Sequence, residues 1–235
     1  MIFGAILAGG IGTRMGNVEK PKQYLVVGGK PIIIHTVETF TACEKLDKVI
    51  VLCPEDWIDY TQVLFEEYGV TSEQAAVISG GAMRNDTIMN AISYIDEQYG
   101  LEDDTILLTH DAVRPLVTKR IIEDNIIAVR EKGACDTVVP ATDTIVESLD
   151  GDRISHVPDR AHLYQGQTPQ SFKAKEFRDL YLGLTDHEKE ILTDAAKVFV
   201  IKGRNVALVK GETYNVKITY PSDLQLAESL LGENV

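Results

Sequence analysis

Cysteine is scarce in this chain. Cys43, Cys53 and Cys135 are the whole set in 235 residues and lie far apart, which leaves neither a paired-cysteine metal knuckle nor a disulfide framework. Inert, buried thiols are expected. Long apolar runs are also missing: no stretch approaches the roughly 18 residues a membrane-spanning helix needs, and a membrane protein is not expected. No basic residue precedes the opening apolar run Met1 to Ala8 as it does in a secretory leader, so the expected location is the cytoplasm. Positive charge is the third shortage. With 23 basic against 36 acidic residues the net charge is −13, the wrong sign for a chain that holds nucleic acid through its phosphates. Cations that handle a phosphate must therefore be gathered locally. Linkers, internal repeats and low-complexity stretches are absent as well, and one domain over residues 1–235 is expected.

What remains is an alternation of strand-length apolar runs with helical patterns. The runs are Ile2 to Ala8, Lys48 to Cys53, Ala75 to Ser79 and Thr105 to Thr109; the helices are Pro31 to Phe40, Trp57 to Tyr68, Thr87 to Tyr99 and Thr118 to Lys132. Ile88, Ala91, Ile92, Ile95 and Tyr99 fall on one helical face that stops at Gly100, and the last helix stops at Gly133. Such alternation predicts an α/β fold with a mainly parallel sheet covered on both faces, which binds ligands beyond the carboxyl ends of its strands. Residues 137–160 break the rhythm. Two extended pieces, Thr144 to Ser148 and Arg153 to Val157, flank Asp150-Gly151, and a projecting β-arm that buries its apolar side against a second copy of the chain is expected.

The first constellation follows the first strand: Leu7-Ala8-Gly9-Gly10-Ile11-Gly12-Thr13-Arg14-Met15-Gly16. Glycines let a backbone turn tightly and bring its amides against phosphate oxygens. A P-loop fails because Gly29-Lys30 is followed by Pro31, and the dinucleotide fingerprint fails because its third glycine falls on Met15. Arg14 inside the loop and Lys20-Pro21-Lys22-Gln23-Tyr24 beyond it favour a triphosphate clamp over a merely structural turn.

The second is Thr109-His110-Asp111-Ala112-Val113-Arg114-Pro115. Asp111 stands at a strand end, where it can hold Mg²⁺ together with substrate phosphates, cap the next helix, or pair with Arg114. His110 reads as a packed strand-end residue. The third is Ser79-Gly80-Gly81-Ala82-Met83-Arg84-Asn85-Asp86-Thr87, whose backbone and Thr87 hydroxyl can read a base edge; a glycine turn capped by Asn85 or Asp86 is the equal alternative. Later in the chain come Pro158-Asp159-Arg160, Gln167-Thr168-Pro169-Gln170, Thr193-Asp194-Ala195 and Asn215-Val216-Lys217-Ile218-Thr219. Lys217 stands between two β-branched apolar residues, in what reads as an apolar strand. That position is costly unless the ammonium meets an anion.

In this order, the motifs LAGGIGTRMG, PKQY, SGGAMRND, HDAVRP, ATDTI, PDRAHLYQGQTPQ, LTDAAKV, NVKIT and PSDL resemble the cytidylyltransferases that activate sugar-alcohol phosphates, the 2-C-methyl-D-erythritol 4-phosphate and ribitol 5-phosphate enzymes. Each motif alone is weak; the ordered set covers nearly the whole chain. The resemblance implies a Rossmann-like domain with a dimerising β-arm. It also implies a reaction of CTP with an alditol phosphate, assisted by Mg²⁺, that releases pyrophosphate. By resemblance, Arg14, Lys22 and Lys217 are the catalytic cations around the α-phosphate. Ala8, Gly9, Gly81, Ala82 and Thr87 fall at cytosine-reading positions, with Leu7, Gly10, Gly12, Thr13, Gly80 and Arg84 completing the nucleotide site. Asp111 is the magnesium-associated carboxylate and also borders the acceptor, together with Arg114, Thr168, Thr193 and Asp194. Thr144 and Arg160 belong to the arm and reach the neighbouring subunit's acceptor phosphate.

Ala82 replaces an acidic residue common in the erythritol branch, which confines base contact there to the backbone. Leu7-Ala8-Gly9-Gly10 and Ala161 to Gln167 resemble the ribitol branch. D-ribitol 5-phosphate is thus the expected acceptor, 2-C-methyl-D-erythritol 4-phosphate the alternative, and supply of CDP-ribitol to a teichoic-acid-type wall polymer the implied role. A nicotinamide-dependent oxidoreductase fails on glycine spacing and on an acidic residue near the right distance, Glu38 being too far along. A nucleotide sensor without turnover would use the same clamp.

Overall fold

The computed structural model describes residues 1–10 and 20–232. In chain order its elements are β1 (Ile2–Leu7), β2 (Val26–Val27), β3 (Lys30–Pro31), α1 (Ile32–Thr41), β4 (Lys48–Cys53), α2 (Ile58–Glu67), β5 (Ala75–Ser79), α3 (Arg84–Tyr99), β6 (Ile106–Asp111), α4 (Lys119–Lys132), β7 (Ala134–Pro140), β8 (Tyr164–Lys173), α5 (Ala174–Leu182), α6 (Asp186–Glu190), α7 (Ala196–Ile201), β9 (Ala207–Lys210) and α8 (Pro221–Gly232). Among the described residues, seven strands form one sheet in the order β5-β4-β1-β6-β8-β7-β9. β8 runs against both β6 and β7, and the other pairings are parallel. Six strands thus deliver their carboxyl ends to one rim.

Alternation along the strands explains the layering. Ile2 and Ile6 of β1 and Val49, Val51 and Cys53 of β4 pack with α1, α2 and α4, while Phe3, Ala5, Ile50 and Leu52 pack with α3, α5 and α7. Burying each of these larger side chains contributes about 1.5–3 kcal/mol. Gly4 is required by close packing: a Cβ there would lie 2.7 Å from the Phe40 ring carbon of α1. Gly100 and Gly133 close α3 and α4 with φ of 79° and 87°, a conformation that glycine adopts at no steric cost.

Three sequence expectations change. α3 begins at Arg84, not Thr87, because the Asp86 carboxylate accepts the Met83 N–H at 3.1 Å and starts the helix a turn earlier. The arm is shorter at its start: residues 137–140 belong to β7, with Thr137 fully buried against Asn125 of α4. Beyond Ala141 nearly every residue up to 163 is exposed, and the two expected arm strands reduce to one antiparallel bridge, Glu147 with His156. At its tip the Asp150 carboxylate accepts the Asp152 and Arg153 N–H groups and Gly151 has φ 78°, a turn built by side chain and glycine together. Lys217, finally, lies outside any strand, in an irregular segment after β9.

Candidate active site

The rim at the carboxyl ends of β1, β5 and β6 opens into a cavity of about 390 Å³, within the range of small-molecule sites. Its walls include Leu7, Ala8, Gly9 and Gly10 from the end of β1 onward, Lys22 and Gln23, Gly81 to Arg84 with Thr87 at the start of α3, Asp111 to Val113 from the end of β6 onward, and Lys217 and Thr219. Five separate segments meet there.

Each wall is held from behind. The Ala8 N–H donates to the Leu52 carbonyl, the Gly80 N–H to the Cys53 carbonyl and the Ala112 N–H to the Leu7 carbonyl, so the loops leave the sheet in register. Gly81 folds back on α3, and a Cβ at that position would sit 2.7 Å from the Thr87 backbone nitrogen. Instead, the Gly81 N–H donates to the Thr87 hydroxyl at 3.0 Å, and that hydroxyl donates to the Met83 carbonyl at 3.0 Å. The α3 amino terminus thus faces the cavity as a ready site for anions. Asp86 is committed to the cap and to the Tyr181 hydroxyl at 2.8 Å; of the two capping residues weighed from the sequence, it is the one that caps.

Lys22 sits in a short 3₁₀ turn, Lys22–Tyr24, fixed on both sides. Gln23 donates to the Ala8 carbonyl at 2.6 Å, while the Tyr24 ring stacks on Trp57 with centroids 4.9 Å apart and its hydroxyl bonds to Thr61. From this base the buried Lys22 ammonium donates to the Ile218 carbonyl at 2.8 Å. Lys217 is therefore next in chain to a residue that Lys22 touches. The segment carrying Lys217 is pinned by the fully buried Asn215, whose amide donates to the Thr168 carbonyl at 2.9 Å and whose own carbonyl accepts Arg114 Nη1 at 2.8 Å. The Ile218 N–H closes onto the Val113 carbonyl.

At the centre stands Asp111. Arg84 Nη1 donates to its Oδ1 at 2.5 Å, and Arg114 Nε and Lys217 Nζ reach its Oδ2 at 3.2 and 3.1 Å. Burial alone pushes this carboxyl up, but the charges of Arg84, Lys217 and Arg114 hold it well below the usual carboxylate range. The anion that Lys217 requires is thus Asp111. The pairing of Asp111 with Arg114 is present, and the helix-cap alternative is not, since Thr118 caps α4 by accepting the Ile121 N–H.

His110 is fully buried, and burial pushes it down to about 4. Its Nε2 lies 3.1 Å from the Arg114 carbonyl, which can only accept, so that nitrogen carries the proton; Nδ1 then accepts the Thr168 hydroxyl at 2.9 Å. Thr168 in turn receives the Asp111 N–H at 3.2 Å. His110 is thus the packed strand-end residue that the sequence reading expects, and through Thr168 it also orients Asp111.

Of the expected site residues, Leu7, Ala8, Gly9, Gly10, Lys22, Gly81, Ala82, Arg84, Thr87, Asp111 and Lys217 line the one cavity, and Gly80, Arg114 and Thr168 support its walls. Gly12, Thr13 and Arg14 lie outside the described residues. Asp194, just before α7, accepts the Lys197 N–H at 2.9 Å, with Thr193 exposed beside it. Thr144 and Arg160 are exposed on the arm and are not brought to the cavity of their own chain; Arg160 donates to the Thr142 carbonyl at 2.7 Å. The motif reading passed over Asp136 of β7, a half-buried acid in the run Ala134 to Pro140. Its only sequence signal was one charge among apolar neighbours.

A parallel-sheet rim with glycine turns, a helix amino terminus and clustered cations defines an enzyme of the nucleotide-phosphate-handling α/β class. The model of the family IspD, 2-C-methyl-D-erythritol 4-phosphate cytidylyltransferase, matches residues 2–233, and the chain belongs to that family. It is a nucleotidyltransferase of the cytidylyl-transferring type. The chain is 50% identical over 231 residues to the ribitol-5-phosphate cytidylyltransferase of Lactiplantibacillus plantarum, covering 98% of each. Among solved structures it resembles 4-diphosphocytidyl-2C-methyl-D-erythritol synthase of Anaerococcus prevotii, with a TM-score of 0.81 and 27% identity over 98% of this chain and 96% of that one. It likewise resembles the 2-C-methyl-D-erythritol 4-phosphate cytidylyltransferase of Francisella tularensis, with a TM-score of 0.80 and 26% identity over 97% and 98%.

Proposed function

We propose that the protein transfers the cytidylyl group of CTP to D-ribitol 5-phosphate, giving CDP-ribitol and pyrophosphate. The observation that carries the chemistry is the convergence of Lys22, Arg84 and Lys217 on one cavity beside the amino terminus of α3. The half-identical relative carries the acceptor. The acceptor's phosphate oxygen is already anionic and attacks the α-phosphorus in line, the bond to the bridging oxygen breaks, and pyrophosphate leaves with its electron pair. No covalent nucleophile is needed. The protein's task is to position two polyanions and to offset the charge that accumulates as they meet, for which Lys22, Lys217 and, from the sequence, Arg14 supply fixed positive charge.

Among the described residues no three His, Cys, Asp or Glu side chains gather as a metal-binding group. Among the described residues Asp111 is the carboxylate that faces the cavity, and both its oxygens are already shared by Arg84, Arg114 and Lys217, so Mg²⁺ would be held mainly by triphosphate oxygens, with Asp111 as nearby negative charge. Such an ion would supply positive charge that offsets the phosphates. Ala8, Gly9, Gly81, Ala82 and Thr87 read the cytosine; Arg114, Thr168, Thr193 and Asp194 border the acceptor.

The arm exposes Leu149, Ile154 and Val157 at 85%, 63% and 51%, which supports a homodimer in which Thr144 and Arg160 reach the acceptor phosphate of the neighbouring subunit. A cytoplasmic enzyme feeding a teichoic-acid-type polymer follows from this reading, with no nucleic-acid or membrane partner. 2-C-methyl-D-erythritol 4-phosphate is the second acceptor to consider, favoured by the similarity to the solved synthases. Pyrophosphate release on mixing CTP and Mg²⁺ with each alditol phosphate tests the proposal. Faster release with ribitol 5-phosphate supports it, release only with the methylerythritol compound reverses the acceptor, and none with either refutes transfer.

A further inference from the structure

Asp136 has no part in the chemistry above, yet the sheet carries it to the same rim. Thr109 of β6 pairs with Gln170 of β8, and Gln170 pairs with Asp136 of β7, so one rung of the sheet runs from just before Asp111 to Asp136. Ala134, two residues earlier on β7, packs into the core under α3, α5 and α7. By strand alternation Asp136 shares that face, on which Arg84 begins α3 and Asp194 precedes α7. Gln170 lies between the two ends: its side-chain Oε1 accepts the Ala195 N–H at 3.1 Å, and its amide favours the ionised form of the nearby Asp136 carboxyl.

Two polar atoms in this region, Asp136 Oδ1 and Arg84 Nε, are buried with no partner among the described residues. One is an acceptor and the other a donor, and a buried group left unpaired costs about 1–3 kcal/mol. Burial, with the negative charge of Asp194 added, pushes the Asp136 carboxyl up to about 7 against the pull of Gln170, Arg84 and Arg114. Among the described residues this carboxyl has no ion-pair partner in contact, and its open oxygen retains hydrogen-bonding capacity, which is the complement of a hydroxyl group. An alditol phosphate brings several.

Resting on the acceptor reading above, we propose that Asp136, beside Gln170 on the same rung of the sheet, hydrogen-bonds a hydroxyl of the alditol chain and so determines which alditol phosphate is accepted. A site that pairs a buried polar group with a substrate hydroxyl discriminates strongly against a substrate presenting carbon there, because the protein group is then left unpaired. The residue acts in binding the acceptor and leaves CTP untouched.

The test is steady-state kinetics of the wild type, Asp136→Val and Asp136→Asn with CTP and either ribitol 5-phosphate or 2-C-methyl-D-erythritol 4-phosphate. Thermal melts establish that each variant folds, and the near-isosteric Asn variant carries the test if Val does not. The expected result is a tenfold or larger rise in KM for ribitol 5-phosphate with KM for CTP within twofold. The ratio of kcat/KM should move toward the methylerythritol compound in Asp136→Val. Acceptor KM within twofold of wild type, or equal losses for CTP and acceptor, overturns the inference. Wild-type protein inactive with both acceptors removes the acceptor reading and this inference together; an active wild type with unmoved variants removes this inference alone.

Discussion

Two aspartates at one rim of one sheet are treated in opposite ways. Asp111, at the end of β6, accepts from Arg84, Arg114 and Lys217 at 2.5 to 3.2 Å and stays ionised deep below the usual range. Asp136, on β7, has a buried oxygen without a partner among the described residues and is pushed up to about 7. Burial works against ionisation at both, so burial does not separate them; the number of cations in contact does. The consequence is a division of labour. A saturated carboxylate acts as fixed negative charge that gathers cations beside a triphosphate site, whereas an unsaturated one keeps its bonding capacity for a ligand.

The comparison breaks first at its cationic side. Replacing Lys217 or Lys22 with alanine should lower kcat by roughly 10² or more, about 3 kcal/mol of transition-state stabilisation. Pre-steady-state and steady-state rates measure this, and less than tenfold loss in both variants takes them out of the charge-offsetting role. The next effect concerns stability. Asp111→Asn keeps the shape and leaves three cations without their anion; because Arg84 and Lys217 are 25% and 40% exposed, the cost should be about 2 kcal/mol, below the 3–5 of a fully buried pair. Urea unfolding reads it, and a change under 0.5 kcal/mol would mean that the cluster is no hub.

Arg160→Ala should raise KM for the alditol phosphate about tenfold with KM for CTP unchanged, the scale of one charge-assisted phosphate contact; the reverse pattern would place the arm elsewhere. The smallest effect sharpens the other aspartate. The folded-state carboxyl of Asp136 is raised above its unfolded value near 4, so the folded state binds the extra proton. The associated stability is present below pH 4 and is lost as pH rises through about 7. Removing the ionisable group with Asp136→Asn should therefore raise Tm by a few degrees at pH 8 relative to wild type and do less at pH 5. Equal shifts at both values would show that the carboxyl does not titrate where its surroundings put it.

How much could be read beforehand differs between the halves of the sheet. β1, β4, β5 and β6 and helices α1 to α4 lie within a few residues of their predicted spans, because a strand buried on both faces is a continuous apolar run and an amphipathic helix has a clear period. β7, β8 and β9 lack such a local signal, since Tyr164–Lys173 is rich in Gln, Thr and Ser and its partners lie 24 or more residues away in sequence. The site divides in the same way. Ala8, Lys22, Arg84, Asp111 and Lys217 stand in motifs of unusual local chemistry, glycine turns or a charge among apolar residues, and were legible one at a time. Asp136 was not, because its importance lies in Gln170 and in Asp194, and no local spacing connects the three.

Residue type and order alone determined that this chain builds a phosphate-handling rim: glycines, strand ends and lysines are properties of short segments, and short-range backbone preferences fix what each can do. Only the tertiary structure decided which charge meets which. Asp111 became the shared anion of three cations from three segments, and Asp136 was left with an open oxygen. Electrostatic interaction depends on distance in space and on burial, and neither quantity exists until the sheet has brought residues 84, 111, 136 and 217 to one end.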